Sequence, residues 1–433
     1  MKINWFSPLP PAKTSIADDY LVGILPALSR RAELTLWTDQ RNWDPGLEEL
    51  ATVRHYKADQ ISWPELNQAD INFYNLGNNH IFHASIWQVS RQHSGIVILH
   101  DLRVHNFFDS LYRGQWRDAG GYLDQIKLHY GNEGLDAATE FVSGRLSIDF
   151  MTQHYPLTPL ALENCLGVVV HTDEAFEQLE RSGQWPVMLT PLPRSMPPSR
   201  NRNERAGTAG PPYRLIIFGY IGRNRRLNAV LEALSGMPER DCFRLDIFGE
   251  LADARGLRSR IRQLDLGKLV QLHGYAPEDQ LNKALENSHL AINLRYPTMG
   301  EASGSQLRIW YHALPSLVTD IGWYASLPGD TVAHVRHEHE IADIQTHLKA
   351  FLNEPERFAK MGEEGRRTLE RRHDPEKYVH NILEMARDRR RLTLRKAARD
   401  LAKRAGTAMG SWTSKAGDDP KRIAETIYEL FSS

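Results

Sequence analysis

The stretch that decides the fold runs from Asn293 to Asp320, with the sequence NLRYPTMGEASGSQLRIWYHALPSLVTD. It begins at the end of an apolar run over Leu290–Leu294, which predicts a strand, and continues into a polar loop of small residues. A helical segment over Leu307–Ala313 then leads to a second short strand at Leu317–Thr319. This order of strand, loop, helix and strand is typical of parallel sheets in α/β proteins.

The polar loop carries a pattern of chemistry as well as of structure. Glu301 lies at its tip and is followed by Ala302, Ser303, Gly304 and Ser305. Backbone N–H groups at a helix N-terminus lack partners and favour anions, and small residues let a phosphate approach them closely. A carboxylate would repel phosphate, so Glu301 is better suited to a neutral, hydroxyl-rich group beside it. Phosphate and hydroxyls side by side describe a nucleotide sugar.

Composition narrows the class of protein. The 433 residues are too many for one ordinary core and indicate two domains plus an appendage. A net charge of −1 argues against nucleic acid as a partner, and no run approaches the roughly 18 apolar residues of a membrane span. The N-terminus lacks the apolar core of a signal peptide, and the two cysteines show no CxxC spacing. We therefore expect a cytoplasmic protein, with peripheral contact to the inner face of the membrane left open.

Short β-branched or aromatic runs alternate with longer amphipathic segments, which indicates an α/β fold. The predicted strands are Lys2–Phe6, Glu33–Trp37, Ile71–Leu76, Ile96–His100, Gly167–His171, Arg214–Phe218, Phe243–Phe248, Leu269–His273, Leu290–Leu294 and Ser316–Thr319. A proline-rich linker over 191–212 separates two sets of strands. We expect two doubly wound, Rossmann-like domains facing a cleft, over 1–190 and 213–375, followed by a helical extension with a basic segment over 376–433. Ligands of such sheets bind at the carboxyl ends of the strands.

The motifs of the second half resemble those of retaining, metal-independent glycosyltransferases of the GT-B fold, in glycosyltransferase family 4. The segment Glu301–Gly304 aligns with the start of the donor-site motif of that family, and Pro315–Asp320 approximates its end. The second glutamate of the motif, which usually holds the nucleotide ribose in the family, falls on Ile309. The resemblance implies an acceptor-side domain over 1–190, a donor-binding domain over 213–375, and a hexosyltransferase type of reaction.

Residues before this motif extend the resemblance. The segment Phe218–Arg226 resembles a strand of the family that is followed by a loop containing glycine and arginine. In the family, the cations of this loop bind the donor diphosphate. Arg225 stands in the place of the family's lysine, and Tyr220 stands in the place of its arginine. The implied diphosphate-binding residues are Gly219, Arg223, Arg225, Ser303, Gly304 and Ser305. The Phe248-Gly249-Glu250 and His273-Gly274-Tyr275 signposts imply contacts to the nucleotide base from Gly249 and Tyr275.

The first half matches the family more loosely. Ile98-Leu99-His100-Asp101 resembles a strand end whose histidine lies near the acceptor and the transferred sugar. The implied catalytic residues are therefore Glu301 and His100, with Asp101 and His105 as candidates on the acceptor side. His100 is not assigned as a general base, because in a retaining reaction an oxygen of the donor phosphate can accept the proton of the acceptor.

The sequence shows no pattern that indicates a metal ion or a cofactor. There is no D-x-D triplet, and the spacing of His334, His337 and His339 matches no familiar zinc triad. A leaving diphosphate would then be stabilised by arginines and a helix N-terminus. The expected partners are a nucleotide-diphosphate sugar, as co-substrate, and a glycan or lipid-linked acceptor, with no nucleic acid.

The basic segment over 387–404 has two interpretations. It is either a solvated helix docked on the core or a helix that makes weak contact with an anionic membrane surface. Leu394, Ala398, Leu401 and Ala405 fall on one face at helical spacing and would form its apolar stripe.

The leading functional hypothesis is a retaining glycosyltransferase in cell-surface polysaccharide synthesis. Two alternatives stay open at this point. One is a catalytically inactive GT-B scaffold of a polysaccharide assembly complex, which the absent second glutamate favours. The other is a nucleotide-sugar epimerase with the same two-domain shape.

Overall fold

The computed structural model describes residues 1–195 and 210–410, with side chains as far as 405. The chain divides into two compact units, which we call the first and the second unit. The first comprises Met1–Pro191 and Pro375–Ser433, and the second comprises Leu192–Asp374. Most of the predicted linker over 191–212, and a short helix expected over 420–431, lie outside the described residues.

The first unit is built on a seven-stranded parallel sheet in the order β3-β2-β1-β4-β5-β6-β7. Its strands are β1 (Lys2–Phe6), β2 (Glu33–Thr38), β3 (Thr52–His55), β4 (Ile71–Leu76), β5 (Ile96–Leu99), β6 (Gly167–Val170) and β7 (Val187–Leu189). The strands β4, β5 and β6 are buried along their whole length, as expected for a parallel sheet covered on both faces.

Helices cover both faces of this sheet. They are α1 (Val22–Ser29), α2 (Trp63–Leu66), α3 (His80–Gln92), α4 (His105–Asp109), α5 (Ala119–Val142), α6 (Ile148–His154), α7 (Thr158–Ala161), α8 (Asp173–Ser182), with π-helical turns at Ile16–Leu21 and Ser110–Trp116 and a 3₁₀ turn at Pro45–Glu49. Polar side chains cap the N-termini of several helices. Asn79 caps α3 by accepting from the Ile81 N–H, and Thr172 caps α8 by accepting from the Ala175 N–H.

The second unit repeats the design with six parallel strands in the order β10-β9-β8-β11-β12-β13. They are β8 (Tyr213–Phe218), β9 (Phe243–Phe248), β10 (Val270–Gly274), β11 (Leu290–Asn293), β12 (Ser316–Thr319) and β13 (Ala333–Val335). The helices are α9 (Leu227–Ser235), α10 (Ala254–Gln263), α11 (Glu278–Glu286), α12 (Gly304–Tyr311), α13 (Gly322–Ala325), α14 (Glu340–Asn353) and α15 (Pro355–Arg372), with 3₁₀ turns at Arg223–Arg225 and Arg240–Cys242. Both sheets therefore have the strand order of a doubly wound, Rossmann-like fold, which confirms the predicted fold class.

All the predicted strands are present, with ends that differ by one residue in several cases. Three short strands were not predicted, namely Thr52–His55, Val187–Leu189 and Ala333–Val335. Each lies at an edge of its sheet, where partial exposure removes the need for a continuous apolar run.

The last two described helices, α16 (Pro375–Arg387) and α17 (Arg389–Gly410), pack on the first unit rather than on the unit that precedes them in sequence. The hydroxyl groups of Tyr20 and Tyr378 are hydrogen-bonded at 2.8 Å, and Arg389 pairs with Asp70 at 2.5 Å. Farther along, Arg399 donates to the carbonyl oxygen of Cys165 at 3.0 Å.

The apolar stripe predicted for α17 is wrong in part. Ala398 is buried, as predicted, but Leu394 and Leu401 are 67% and 50% exposed. The helix docks through a different face, to which Leu392 and Ala402 contribute. Among residues 1–195 and 210–410, no helix has both the length and the apolar character needed to cross a bilayer.

Close packing of α15 against the turn after α12 gives a stability prediction. A Cβ added at Gly362 would overlap the carbonyl oxygen of Ala313, whereas one added at Gly329 would meet open space. Alanine normally stabilises a helix interior relative to glycine. Any loss of stability in Gly362→Ala must therefore come from the overlap of the new Cβ with the Ala313 carbonyl oxygen. We expect Gly362→Ala to lower the free energy of unfolding by about 1–3 kcal/mol and Gly329→Ala to leave it unchanged in denaturant melts. Equal stabilities of the two variants would contradict this packing.

Candidate active site

The second unit has its topological switch point between β8 and β11, which pair side by side although β9 and β10 intervene in sequence. Loops leaving neighbouring strands diverge there and open a crevice at the carboxyl edge, which is where open α/β sheets bind ligands. The loop after β8 contributes Gly219 and Arg225, and the end of β11 contributes Asn293. The start of α12 adds Ser305.

Arg225 carries a buried charge at this edge, since its side chain is only 5% exposed. Its guanidinium donates to the Tyr220 carbonyl oxygen at 3.3 Å, the Asn293 Oδ1 at 2.6 Å and the Ser305 Oγ at 3.3 Å. All three recorded acceptors are neutral. Burial, and after it the charge of the nearby Arg295, lower the pKa of Arg225 to about 9, and Glu301 opposes the shift. The site therefore holds a desolvated positive charge whose hydrogen bonds do not neutralise it, which favours an incoming anion.

Glycines allow the backbone to approach this guanidinium. Gly219 has φ +99°, and a Cβ there would lie 2.9 Å from Arg225 Nη2. Gly249 has φ +126°, and a Cβ there would overlap the carbonyl oxygen of Gly219. Both positions thus require glycine for conformation and for space. The structure gives Gly249 a packing contact with Gly219, and its contact with a nucleotide base stays a prediction.

The N-terminus of α12 is ordered by side chains around it. Ser303 is the N-cap and accepts from the Gln306 N–H at 3.1 Å, and Gly304 is the first helical residue. Gln306 is fully buried and accepts from Asn293 Nδ2 at 3.0 Å. The same asparagine that receives Arg225 therefore fixes the start of α12, so the predicted cation and the predicted helix N-terminus belong to one network.

Glu301 is held in place by its own loop. Its Oε2 accepts from the Thr298 hydroxyl at 2.8 Å and from the Met299 N–H at 2.7 Å. Its Oε1 lies 3.2 Å from the Arg295 Nε. Sequence reasoning missed Arg295, although its place two residues after β11 was a usable signal. The ion pair orients the carboxylate and brings a second arginine close to Arg225.

The other predicted residues of the second unit differ in exposure. Arg223 is exposed on the 3₁₀ turn that precedes α9, and Tyr275 is 66% exposed after β10. Ile309, in the place of the family's second glutamate, is buried in a cluster with Phe218 and Phe248. Ile309 therefore serves packing, at the position where the resemblance implied a contact to ribose.

In the first unit, His100 follows β5 at the carboxyl edge of the sheet. Its Nε2 is 3.1 Å from the Asn75 Oδ1, and its ring centroid is 5.2 Å from that of His171. Desolvation, followed by the charges of His171 and His83, lowers its pKa well below the ordinary value. Asp101 accepts from the Asn78 N–H at 2.7 Å. His100 is therefore neutral, and Asp101 orders the loop after β4.

His105 does not suit the acceptor-side role predicted for it. It is fully buried, with Nδ1 bonded to the Tyr155 carbonyl oxygen and Nε2 at 2.9 Å from the Tyr122 hydroxyl. Burial lowers its pKa to about 4. Both ring nitrogens are engaged inside the core, so the geometry indicates a structural histidine. Across the part of the chain that the structure describes, no group of three or more His, Cys, Asp or Glu side chains is placed to hold a metal ion.

The uncompensated charge of Arg225 gives a prediction that separates a functional from a structural arginine. We expect Arg225→Met to leave the stability of the protein without added nucleotide unchanged or to raise it, because a buried charge whose hydrogen bonds go to neutral acceptors is replaced by an apolar chain. Arg226→Met is the matched control, since Arg226 binds the buried Glu340 carboxylate at 2.7 Å and should destabilise by about 3–5 kcal/mol when removed. Thermal melts measure both. An equally large loss at Arg225 would show that it serves the fold.

Buried histidines give a pH dependence. The folded-state pKa is lowered to about 4 for His83 and for His105, and well below its ordinary value for His100. The unfolded chain takes up protons below about pH 6.5 while the folded chain does not. Stability should be complete above that pH and fall towards pH 4, by up to about 1.4 kcal/mol per pH unit for each histidine. In urea melts at pH 7.5 and 5.5, His83→Asn should reduce the loss, and the exposed His55→Asn should not. Equal losses in the two variants would contradict this assignment.

Comparison with known proteins adds independent findings. Residues 200–368 match the family model described as Glycosyl transferases group 1. No curated protein matches the chain by sequence. Sucrose-phosphate synthase from Thermosynechococcus elongatus is similar in structure over 90% of this chain and 99% of its own, with 14% identity and a TM-score of 0.60.

Two further solved structures are also similar to this chain over most of its length. HepE from Anabaena, in complex with UDP and glucose, is similar over 89% of this chain and 99% of its own, with 13% identity and a TM-score of 0.58. WaaG, a glycosyltransferase involved in lipopolysaccharide biosynthesis, is similar over 87% and 98%, with 12% identity and a TM-score of 0.56. The chain therefore has the two Rossmann-like units of the GT-B fold, and its segment over 200–368 supports a glycosyltransferase.

Proposed function

We propose that the protein transfers a sugar from a nucleotide-diphosphate sugar to a glycan or lipid-linked acceptor, with retention of anomeric configuration and without a metal ion, in cell-surface polysaccharide synthesis. The observation that carries the proposal is the buried Arg225, whose recorded hydrogen bonds all go to neutral oxygens at the switch point of the second unit. A diphosphate would supply the missing negative charge.

The reaction breaks the bond between the anomeric carbon and the diphosphate, so negative charge grows on the leaving group. Fixed donors aimed at that charge stabilise the transition state more than the ground state. Arg225 is held in place by Asn293 and Ser305, the exposed Arg223 lies two residues before it, and the N-terminus of α12 adds oriented N–H groups. Together these groups fit the leaving diphosphate.

Glu301 is proposed to receive hydroxyl groups of the donor sugar. Its loop connects β11 with α12, and it lies close enough to Arg225 to influence the pKa of that arginine. The hydrogen bonds from Thr298 and Met299 fix one oxygen, and the 3.2 Å ion pair with Arg295 fixes the other. A carboxylate in this position also favours the positive charge that develops at the anomeric carbon.

Retention of configuration is part of the proposal and is consistent with a proton transfer that needs no protein base. An oxygen of the departing phosphate can take the proton of the acceptor hydroxyl, so no protein base is needed. His100 is proposed as a neutral contact to the transferred sugar or the acceptor, because desolvation holds its pKa well below the ordinary value. UDP is the first nucleotide to test, because HepE is solved with UDP. The role in cell-surface polysaccharide synthesis is proposed by analogy with WaaG, which is involved in lipopolysaccharide biosynthesis.

An inactive scaffold is the second candidate, and it has a specific observation in its favour. Ile309 is buried where the family places a glutamate, and both oxygens of Glu301 have partners among neighbouring residues of its own loop. Release of free nucleotide from a donor separates the enzyme from the scaffold. Dependence of that release on an acceptor separates a transferase from an epimerase.

The test is turnover of nucleotide sugars in metal-free buffer. UDP, GDP, ADP and TDP sugars are first ranked by thermal stabilisation, and the best donor is then offered to lipid-linked and glycan acceptors. We expect acceptor-dependent nucleotide release and a product whose anomeric configuration, read by NMR, equals that of the donor. Glu301→Gln should lower kcat by roughly 10²-fold, and the exposed Glu286→Gln should have no effect. Folded protein that is not stabilised by any donor, or an inverted product, would contradict the proposal.

A further inference from the structure

A cavity of about 540 Å³ lies in the first unit, on the side of the sheet away from His100. It is lined by the C-terminal part of α3, the end of the π-helical turn Ser110–Trp116, the turn before β6, and α17. In a parallel sheet, α3 runs back from the carboxyl edge to the amino edge, and the turn before β6 also lies at the amino edge. The cavity is therefore separate from the edge where chemistry is expected, and its volume falls in the range of about 300–1,000 Å³ for small-ligand sites.

Two indoles form part of its wall. Trp87 is fully buried and its N–H donates to the Leu160 carbonyl oxygen at 3.2 Å. Trp116 packs against it with ring centroids 6.2 Å apart, yet stays 39% exposed. The buried indole thus supports the partly exposed one, and both line the cavity.

The charges around the indoles are not balanced. Four basic and two acidic side chains line the cavity, which gives it a net charge of +2: Arg91, Lys396, Lys403, Arg404, Glu163 and Asp400. Arg91 pairs with Glu163 at 3.1 Å and Lys396 with Asp400 at 2.5 Å. Basic side chains therefore outnumber acidic ones in the lining, and the exposed Arg404 is one of them, which favours an anionic ligand.

Neutral hydrogen-bonding groups complete the lining. Gln88, Gln92 and Asn164 add amide donors and acceptors. Asn164 donates to the Arg91 carbonyl oxygen at 3.1 Å, so its amide is fixed by the end of α3. An exposed ring face, amides and cations in one cavity match a sugar ring, its hydroxyl groups and an acidic substituent respectively.

We propose that this cavity binds an acidic saccharide unit, such as a uronate of a glycan, at a site separate from the one that carries out transfer. An anionic membrane surface is a poorer match, because interfacial binding scales with the apolar area that is buried. The exposed leucines of α17, Leu394 and Leu401, do not line the cavity. The proposal does not depend on the donor site, since it concerns binding in the absence of nucleotide.

Titration of the full chain without nucleotide tests the proposal. The probes are trimers of galacturonate and of mannuronate, with maltotriose as the neutral comparison, and tryptophan fluorescence and calorimetry are the readouts. We expect at least one acidic trimer to bind, maltotriose to bind at least tenfold more weakly, and affinity to fall with added salt. Silence with both acidic trimers, or equal binding of maltotriose, would overturn it.

Matched variants locate the binding. Trp116→Ala and Arg404→Ala should each weaken the acidic trimer at least tenfold. Trp63→Ala, whose indole is similarly exposed at 37%, and the exposed Arg390→Ala on α17 should change nothing. Melting temperatures confirm that the variants fold. Equal affinity in all four variants would overturn the proposal, as would competition by inorganic phosphate at the trimer's own concentration. Binding to vesicles containing phosphatidylglycerol without binding to either trimer would assign the cavity to a membrane instead.

Discussion

The arrangement of the second unit centres on one buried charge. The Arg225 guanidinium is taken out of water at the point where the strand order reverses, and its hydrogen bonds go to a carbonyl, an amide and a hydroxyl oxygen. Neutral acceptors satisfy its N–H groups but leave its charge uncompensated. An anion bound beside such a charge would stabilise it. The surrounding loops are arranged around the place where that anion would bind.

Each neighbouring feature can be understood from that requirement. Gly219 lets the backbone lie close to the guanidinium, and Gly249 lets the ends of β8 and β9 approach each other. Asn293 connects the cation with the start of α12 through Gln306. Arg295 adds a second positive charge and at the same time holds the carboxylate of Glu301. The groups proposed to bind diphosphate and those proposed to bind sugar hydroxyls thus adjoin each other because the loop between β11 and α12 contributes to both.

The sequence predicted the architecture, because apolar runs mark buried strands. Glycines with arginines also indicated a phosphate loop in the second unit, and the binding role of that loop stays a prediction. The short edge strands were not predicted, because a partly exposed strand does not need a continuous run of apolar residues. The ion pair of Arg295 with Glu301 depends on the path of the loop, which spacing does not reveal. The burial of His105 was not predicted, because proximity to a strand end in sequence does not show that a side chain turns into the core. The exposed leucines of α17 show the same limit, since helical spacing cannot tell which face docks.

The most direct test is the contribution of phosphate to affinity in the wild type and in Arg225→Met. Calorimetry without metal would compare uridine, UMP and UDP, and the guanosine and adenosine series in the same way. The account predicts that affinity rises steeply from nucleoside to diphosphate in the wild type for at least one base. It also predicts that most of this rise disappears in the folded variant. A similar rise in affinity in both proteins, or no diphosphate binding to the folded wild type, would contradict the claim that Arg225 binds the diphosphate.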